Sequence, residues 1–136
     1  MELYPLLLSL HNLVRWLVLL SGLLSLYALW RGLPTARVYA SGFAHAFTFQ
    51  LLLGLLLQWQ SPLLAPAYQN LALARESREL SFFLMEHWVG MLLALGLAHA
   101  ARAQVGKNPR RALGFTLAAL ALTLLSIPWW RPLLRV

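Results

Sequence analysis

The chain has 136 residues, 60% of them hydrophobic and 11% charged, with 11 Lys and Arg against 4 Asp and Glu for a formal net charge of +7. A soluble domain of this size carries about 25% charged residues, so the composition excludes an ordinary water-soluble globule. It contains no Cys, which excludes a disulfide scaffold, a thiolate metal site, an iron–sulfur cluster and a covalently attached c-type haem.

A membrane-crossing helix needs roughly 20 mostly apolar residues. Four stretches qualify, at about 4–30, 41–60, 81–101 and 112–130, and predict one all-α domain over 1–136, a four-transmembrane-helix bundle. The first stretch holds His11, Asn12 and Arg15 and is longer than the h-region of a signal peptide, so it reads as a genuine span. The second carries His45. Between second and third, residues 61–80 combine Leu63, Leu64, Tyr68 and Leu71 with Arg75, Glu76, Arg78 and Glu79, a pattern for an amphipathic surface helix that lids the outer end of the bundle. The third span carries Glu86, His87 and His99. The fourth stops at Pro128, with Trp129 and Trp130 where an aromatic belt is expected.

Arg31, Arg37, Arg102, Lys107, Arg110 and Arg111 fall in the first and third connectors, against Arg75, Arg78, Arg131 and Arg135 on the other side. That bias puts both termini on the non-cytoplasmic side. Topology and anionic lipid account for the positive charge, so lipid rather than nucleic acid is the implied partner.

The informative residues are those that do not belong in lipid. An Arg or an acidic group at mid-bilayer costs about 2.5–3.5 kcal/mol, so such groups should face the bundle interior and have partners. His11 lies about seven residues in from Tyr4 and His87 about six in from Ser81, which sets them level near the outer side. His45 and His99 are level near the inner side by the same reasoning. His87 and His99 are twelve residues apart, or roughly 18 Å along a helix and 120° around it, so they address different neighbours. Two level histidines on facing helices suit a flat metal macrocycle ligated on both faces. Gly42, Gly90 and Gly96 lie three residues from a histidine on its own face, and Gly22 shares the face of His11, leaving room for such a disc. Arg15, one turn below His11, is suited to a carboxylate of the macrocycle or to Glu86; Asn12, Trp16 and Trp88 are expected to support the outer pair. Arg102 sits three residues after His99 for the inner pair. The bland alternatives are snorkelling inner histidines, a structural Arg15–Glu86 pair and Met91 as packing.

The segments His11-Asn-Leu-Val-Arg15-Trp16, His45 with Gln50-Leu-Leu-Leu-Gly54, Phe83-Leu-Met-Glu86-His87-Trp88, Gly96-Leu-Ala-His99 and Ile127-Pro128-Trp129-Trp130-Arg131 together resemble small bacterial four-helix membrane cytochromes of the b type. The resemblance implies a bacterial inner membrane location, two non-covalent haems b with bis-His ligation, and electron transfer across the bilayer. Longer cytochromes b space their paired helix histidines one or two residues further apart and place two on each of two helices, whereas three helices carry them here. A looser likeness, through Glu86-His87, is to one half of haem A synthase.

Three readings follow. The first is a di-haem carrier, or a subunit of a larger complex or homo-oligomer, taking electrons from quinol or a periplasmic protein. The second is an enzyme, oxidising quinol or modifying haem, with Glu86 as proton acceptor and Arg15 as substrate clamp. The third is a haem-free assembly or transport protein. A quinone pocket beneath the 61–80 lid belongs with the first two.

Overall fold

The computed structural model describes residues 2–131, so Arg135 lies outside the described residues. The chain order is α1 (Leu3–Arg31), α2 (Ala36–Gln60), three short helices α3 (Ala65–Gln69), α4 (Leu73–Glu76) and α5 (Arg78–Ser81), a π-helical turn over Phe82–Glu86, then α6 (His87–Gln104) and α7 (Pro109–Ser126). Among the described residues there is no strand. Three helices, Leu3–Arg31, Ala36–Gln60 and the run Arg78–Gln104, are long and apolar enough to cross a membrane. The third is longer at both ends than the 81–101 expected. α7 has 18 residues, about 27 Å at 1.5 Å per residue, and lies N-terminal of the 112–130 expected.

Local chemistry sets these ends. α1 closes on Gly32 in the left-handed conformation (φ 65°, ψ 33°), with Leu33 N–H donating to the Ala28 carbonyl at 2.8 Å and Gly32 N–H to that of Leu29 at 3.3 Å. These bonds satisfy carbonyls that a helix end leaves open, and Pro34 prevents continuation. At the start of α7, the Asn108 side chain accepts from Arg111 N–H at 3.1 Å, and Pro109 takes the first position, where no amide donor is needed. α7 stops because Pro128 pushes Ile127 into extended backbone (φ −81°, ψ 134°). Trp129 and Trp130 therefore follow the helix rather than ending it.

α1 packs on α2 and α6 on α7; α2 against α6 and α1 against α7 close the ring, so α1 and α6 stand at diagonal corners. Val18, Phe43, Phe47, Ala94, Ala98, Ala119, Leu120 and Ile127 form the shared core. Gly22 is the tightest point: a Cβ there would lie 2.6 Å from a Leu120 methyl and 2.9 Å from the Phe43 ring. Gly22 therefore serves close helix approach, not space beside His11. α6 buries Ala94, Ala98 and Ala101, small residues that let it lie close to α2 and α7, and turns Leu92 and Leu93 outward. Leu13, Leu17, Leu20, Leu52, Leu55 and Leu56 are likewise exposed. So much apolar surface suits lipid and not water.

The 61–80 segment is not one amphipathic helix but three short ones, interrupted where Asn70 and Ser77 take extended backbone. It does fold back on the bundle: Leu64 and Ala67 are buried, and the Tyr68 hydroxyl donates to the Gln58 carbonyl at 3.0 Å.

Candidate functional site

His11 and His87 meet across the bundle, with ring centres 6.4 Å apart and ring planes at 67°. They come from the diagonal helices α1 and α6, so the space between them is the bundle centre rather than a seam between neighbours. The cavity here is lined by Asn12, Arg15, Gln50, Met91 and Arg131 beside the two histidines, with Leu63 and Leu64 of the lid at its outer end. It extends along α1 from Tyr4 to Val18, about 21 Å at 1.5 Å per residue, and among the described residues no acidic side chain lines it.

His87 is oriented by the end of α7. Because Pro128 stops that helix, the Ser126 carbonyl has no amide partner in a following turn, and His87 Nδ1–H donates to it at 2.6 Å. A carbonyl only accepts, so Nδ1 carries the proton and Nε2 keeps its lone pair, the tautomer a metal ligand needs. Gly90 makes this approach feasible: a Cβ at Gly90 would collide with Ser126 Oγ. Gly90 therefore makes room for α7, not for a disc. Phe82 and Phe83 of the π-helical turn pack on the His87 ring at 5.6 and 5.7 Å, so the wide turn sits directly before the residue it aims.

His11 is held from α2. Gln50 Nε2–H donates to the His11 carbonyl at 2.8 Å, and a Cβ at Gly54 would lie 3.2 Å from His11 Cε1. Gly54 is thus the glycine that makes room for a histidine ring, one turn after Gln50 and on a different helix from the ligand. Asn12 and Arg15 line the cavity as expected. Trp16 is turned partly outward, with the Arg15 guanidinium 5.2 Å from its ring centre.

The inner histidines also meet, at 6.4 Å between ring centres and 81° between planes. They lie on neighbouring helices and are exposed, so the pair sits on the outside of the α2–α6 seam. Thr48 Oγ1–H donates to the Ala44 carbonyl at 2.9 Å. That hydroxyl then has only acceptor capacity for His99 Nε2, 2.8 Å away, which fixes the proton on Nε2. Gly42 and Gly96 have nothing within 4 Å of a Cβ position, so both flank the pair with open surface. Arg102 is at this level too, donating from Nε to Ser41 Oγ at 3.0 Å.

Two expectations are corrected. Glu86 does not face the interior or pair with Arg15: it is exposed and binds Arg78 through both oxygens, at 2.5 and 2.8 Å. It sits at the end of the wide π-helical turn, one position before His87, which points inward. Trp88 does not line the histidine cavity either; its indole donates to the Leu84 carbonyl, and the ring borders a shallow groove with Leu55, Gln58, Trp59 and Tyr68. The sequence points to no part for Ser126 in the site, and to Gly54 and Arg131 only through the resemblance and, for Arg131, the charge bias between connectors. Arg131 binds Glu79 at 2.7 Å through Nε and lies 4.8 Å over the Phe83 ring, tying the turn after α7 to the lid. Gln50 had a readable signal, an amide within an apolar span; a backbone carbonyl as partner, as at Ser126, has none. In comparisons with family models, with curated proteins and with solved structures, nothing matches this chain.

Proposed function

We propose that the protein is a membrane electron carrier that holds haem b between His11 and His87, with His45 and His99 as a second, inner haem position. The outer pair carries the reading. His11 and His87 stand 6.4 Å apart between ring centres inside an enclosed cavity, where two imidazoles could hold one metal-centred group between them. Among the described residues, no group of three or more His, Cys, Asp or Glu could hold a bare ion. Two ligands are enough for a metal that brings its own equatorial set, which is what a porphyrin does.

The chain's own residues then divide the work. His87 presents a lone pair fixed by Ser126, His11 faces it from α1, and Arg15 gives positive charge to a cavity that no acidic side chain lines among the described residues, suited to the carboxylates of the macrocycle, whereas Arg131 is already paired with Glu79. Haem would supply one-electron exchange; held by His11 and His87, it would leave the protein the part of setting distance and potential. In this reading α7 is a fourth span, both termini are outside, and the membrane is the bacterial inner membrane. The donor is a quinol or a periplasmic redox protein, and the chain acts alone, as a homo-oligomer or within a larger complex. The exposed Glu86–Arg78 pair favours a carrier over an enzyme using Glu86 as proton acceptor. The test is a detergent extract of the purified protein: a reduced-minus-oxidised b-type spectrum with haem bound in stoichiometric amount is expected, and a colourless protein that takes up no added haem overturns the reading.

A further inference from the structure

The outer end of the cavity is covered by chain that is held down unevenly. At the start of the lid, Leu64 and Ala67 are buried and the Tyr68 hydroxyl donates to the Gln58 carbonyl at 3.0 Å, which fixes α3 to the end of α2. Further on, α4 and α5 bury no residue, and Leu71 just before them is exposed. A polar contact ties this stretch to the turn after α7: Glu79 Oε1 accepts from Arg131 Nε at 2.7 Å and lies 2.5 Å from Arg131 Nη2. The same guanidinium lies 4.8 Å over the Phe83 ring, Phe83 packs on His87 at 5.7 Å, and Arg131 and Phe83 both line the cavity.

The side chains of Arg131 and Glu79 are 29% and 35% exposed, so water competes for the pair. An ion pair of this kind is weak, and a cation over a ring adds a similarly small amount. The contact can hold a segment that buries nothing, and it can also open. Asn70 and Ser77, in extended backbone on either side of α4, are the joints at which that segment can swing.

We infer that the Glu79–Arg131 pair is the latch of the cavity's outer mouth: the ligand enters and leaves between residues 70–79 and the turn after α7, and a carboxylate on the ligand takes Arg131 from Glu79 as it passes. Glu79 is itself a carboxylate, so an incoming carboxylate matches the group it displaces. The route stands on the geometry alone, whereas the carboxylate exchange rests on the haem reading.

The chain contains no Cys, so Ser61→Cys places a single thiol on the cavity wall at a residue only 8% exposed. Iodoacetamide labelling of this full-length protein in detergent reads access without any haem. Labelling should be slow with the latch intact and roughly three- to tenfold faster with either Glu79→Gln or Arg131→Gln, a factor set by one part-exposed pair and one cation–ring contact. The double variant should be no faster than the quicker single one, and exchanging the charges, Glu79→Arg with Arg131→Glu, should slow labelling again. Unchanged rates in both single variants with helical circular dichroism retained, or a charge-exchanged protein as fast as the single variants, would overturn the latch. Haem uptake tests the exchange. Both single variants should take up haem faster, but only Arg131→Gln should bind it more weakly at equilibrium; equal weakening in both would show a packing role and overturn the exchange. A wild type that labels in this pattern yet takes up no added haem would sink the proposed function and leave the latch standing.

Discussion

The outer and inner histidine pairs have the same ring-centre separation of 6.4 Å yet differ in nearly everything that would make them equivalent sites. The outer pair spans the diagonal of the bundle, closed off by the lid and by residues of all four long helices. The inner pair lies on one seam with both rings exposed. At His87 a backbone carbonyl holds the proton on Nδ1 and frees Nε2; at His99 the Thr48 hydroxyl holds it on Nε2. Separation alone therefore does not make a ligand pair. What distinguishes the two is which nitrogen the surroundings leave available, and whether low-dielectric walls surround the space between the rings.

This contrast can be broken most sharply at His87. His87→Ala should abolish the outer haem signal and leave the inner one, as read from the reduced-minus-oxidised spectrum; loss of both or of neither would show that the two pairs are not separate sites. Gly90→Val comes next. Its side chain would drive into Ser126, and overpacking of this kind costs about 1–3 kcal/mol. A lower melting temperature with selective loss of the outer haem is expected, whereas Gly96→Val, at a position with nothing within 4 Å, should melt like the wild type.

Thr48→Val sharpens the comparison from the inner side. It removes the hydroxyl that occupies His99 Nε2, and since one hydrogen bond contributes a net of about 0.5–1.5 kcal/mol, inner-site affinity should rise roughly two- to tenfold. Haem titration of the His87→Ala background reads this directly. The smallest effect belongs to Glu86→Gln. Its carboxylate is exposed and, among the described residues, pairs with exposed Arg78 alone, and surface pairs contribute little, so haem content at both positions and the rate of electron exchange should not change. A large loss of turnover would restore the enzyme reading.

Levels along the helix axis were legible from the chain, because a fixed rise per residue between two membrane faces sets the depth of each histidine. The pairings His11 with His87 and His45 with His99 both follow from that, and both recur as ring contacts. The mixture of leucines and charges in 61–80 pointed to a segment lying on the bundle, and Leu63 and Leu64 do line the cavity, but as parts of a segment of three short helices, not of one amphipathic helix. Direction around the axis was not legible. Glu86, expected inside the span with Arg15 as one candidate partner, instead binds Arg78 on the outside, because the wide turn at Phe82–Glu86 changes the facing of residues that a regular helix would place differently. Glycines were read as space beside the ligand on its own helix. In three dimensions the useful one is Gly54, across the gap, while Gly22 and Gly90 admit neighbouring helices.

By itself the sequence determined that this is an all-helical chain with helices apolar enough for a bilayer, and that its histidines fall into two levels, since hydropathy and rise per residue are local properties. Only the tertiary structure decided that α1 and α6 are diagonal, that one pair is enclosed and the other exposed, and that Ser126 and Gln50 reach the outer histidines. Those outcomes depend on which helix packs beside which and at what rotation, and such contacts join residues 39 positions apart in the chain, beyond the reach of any local pattern.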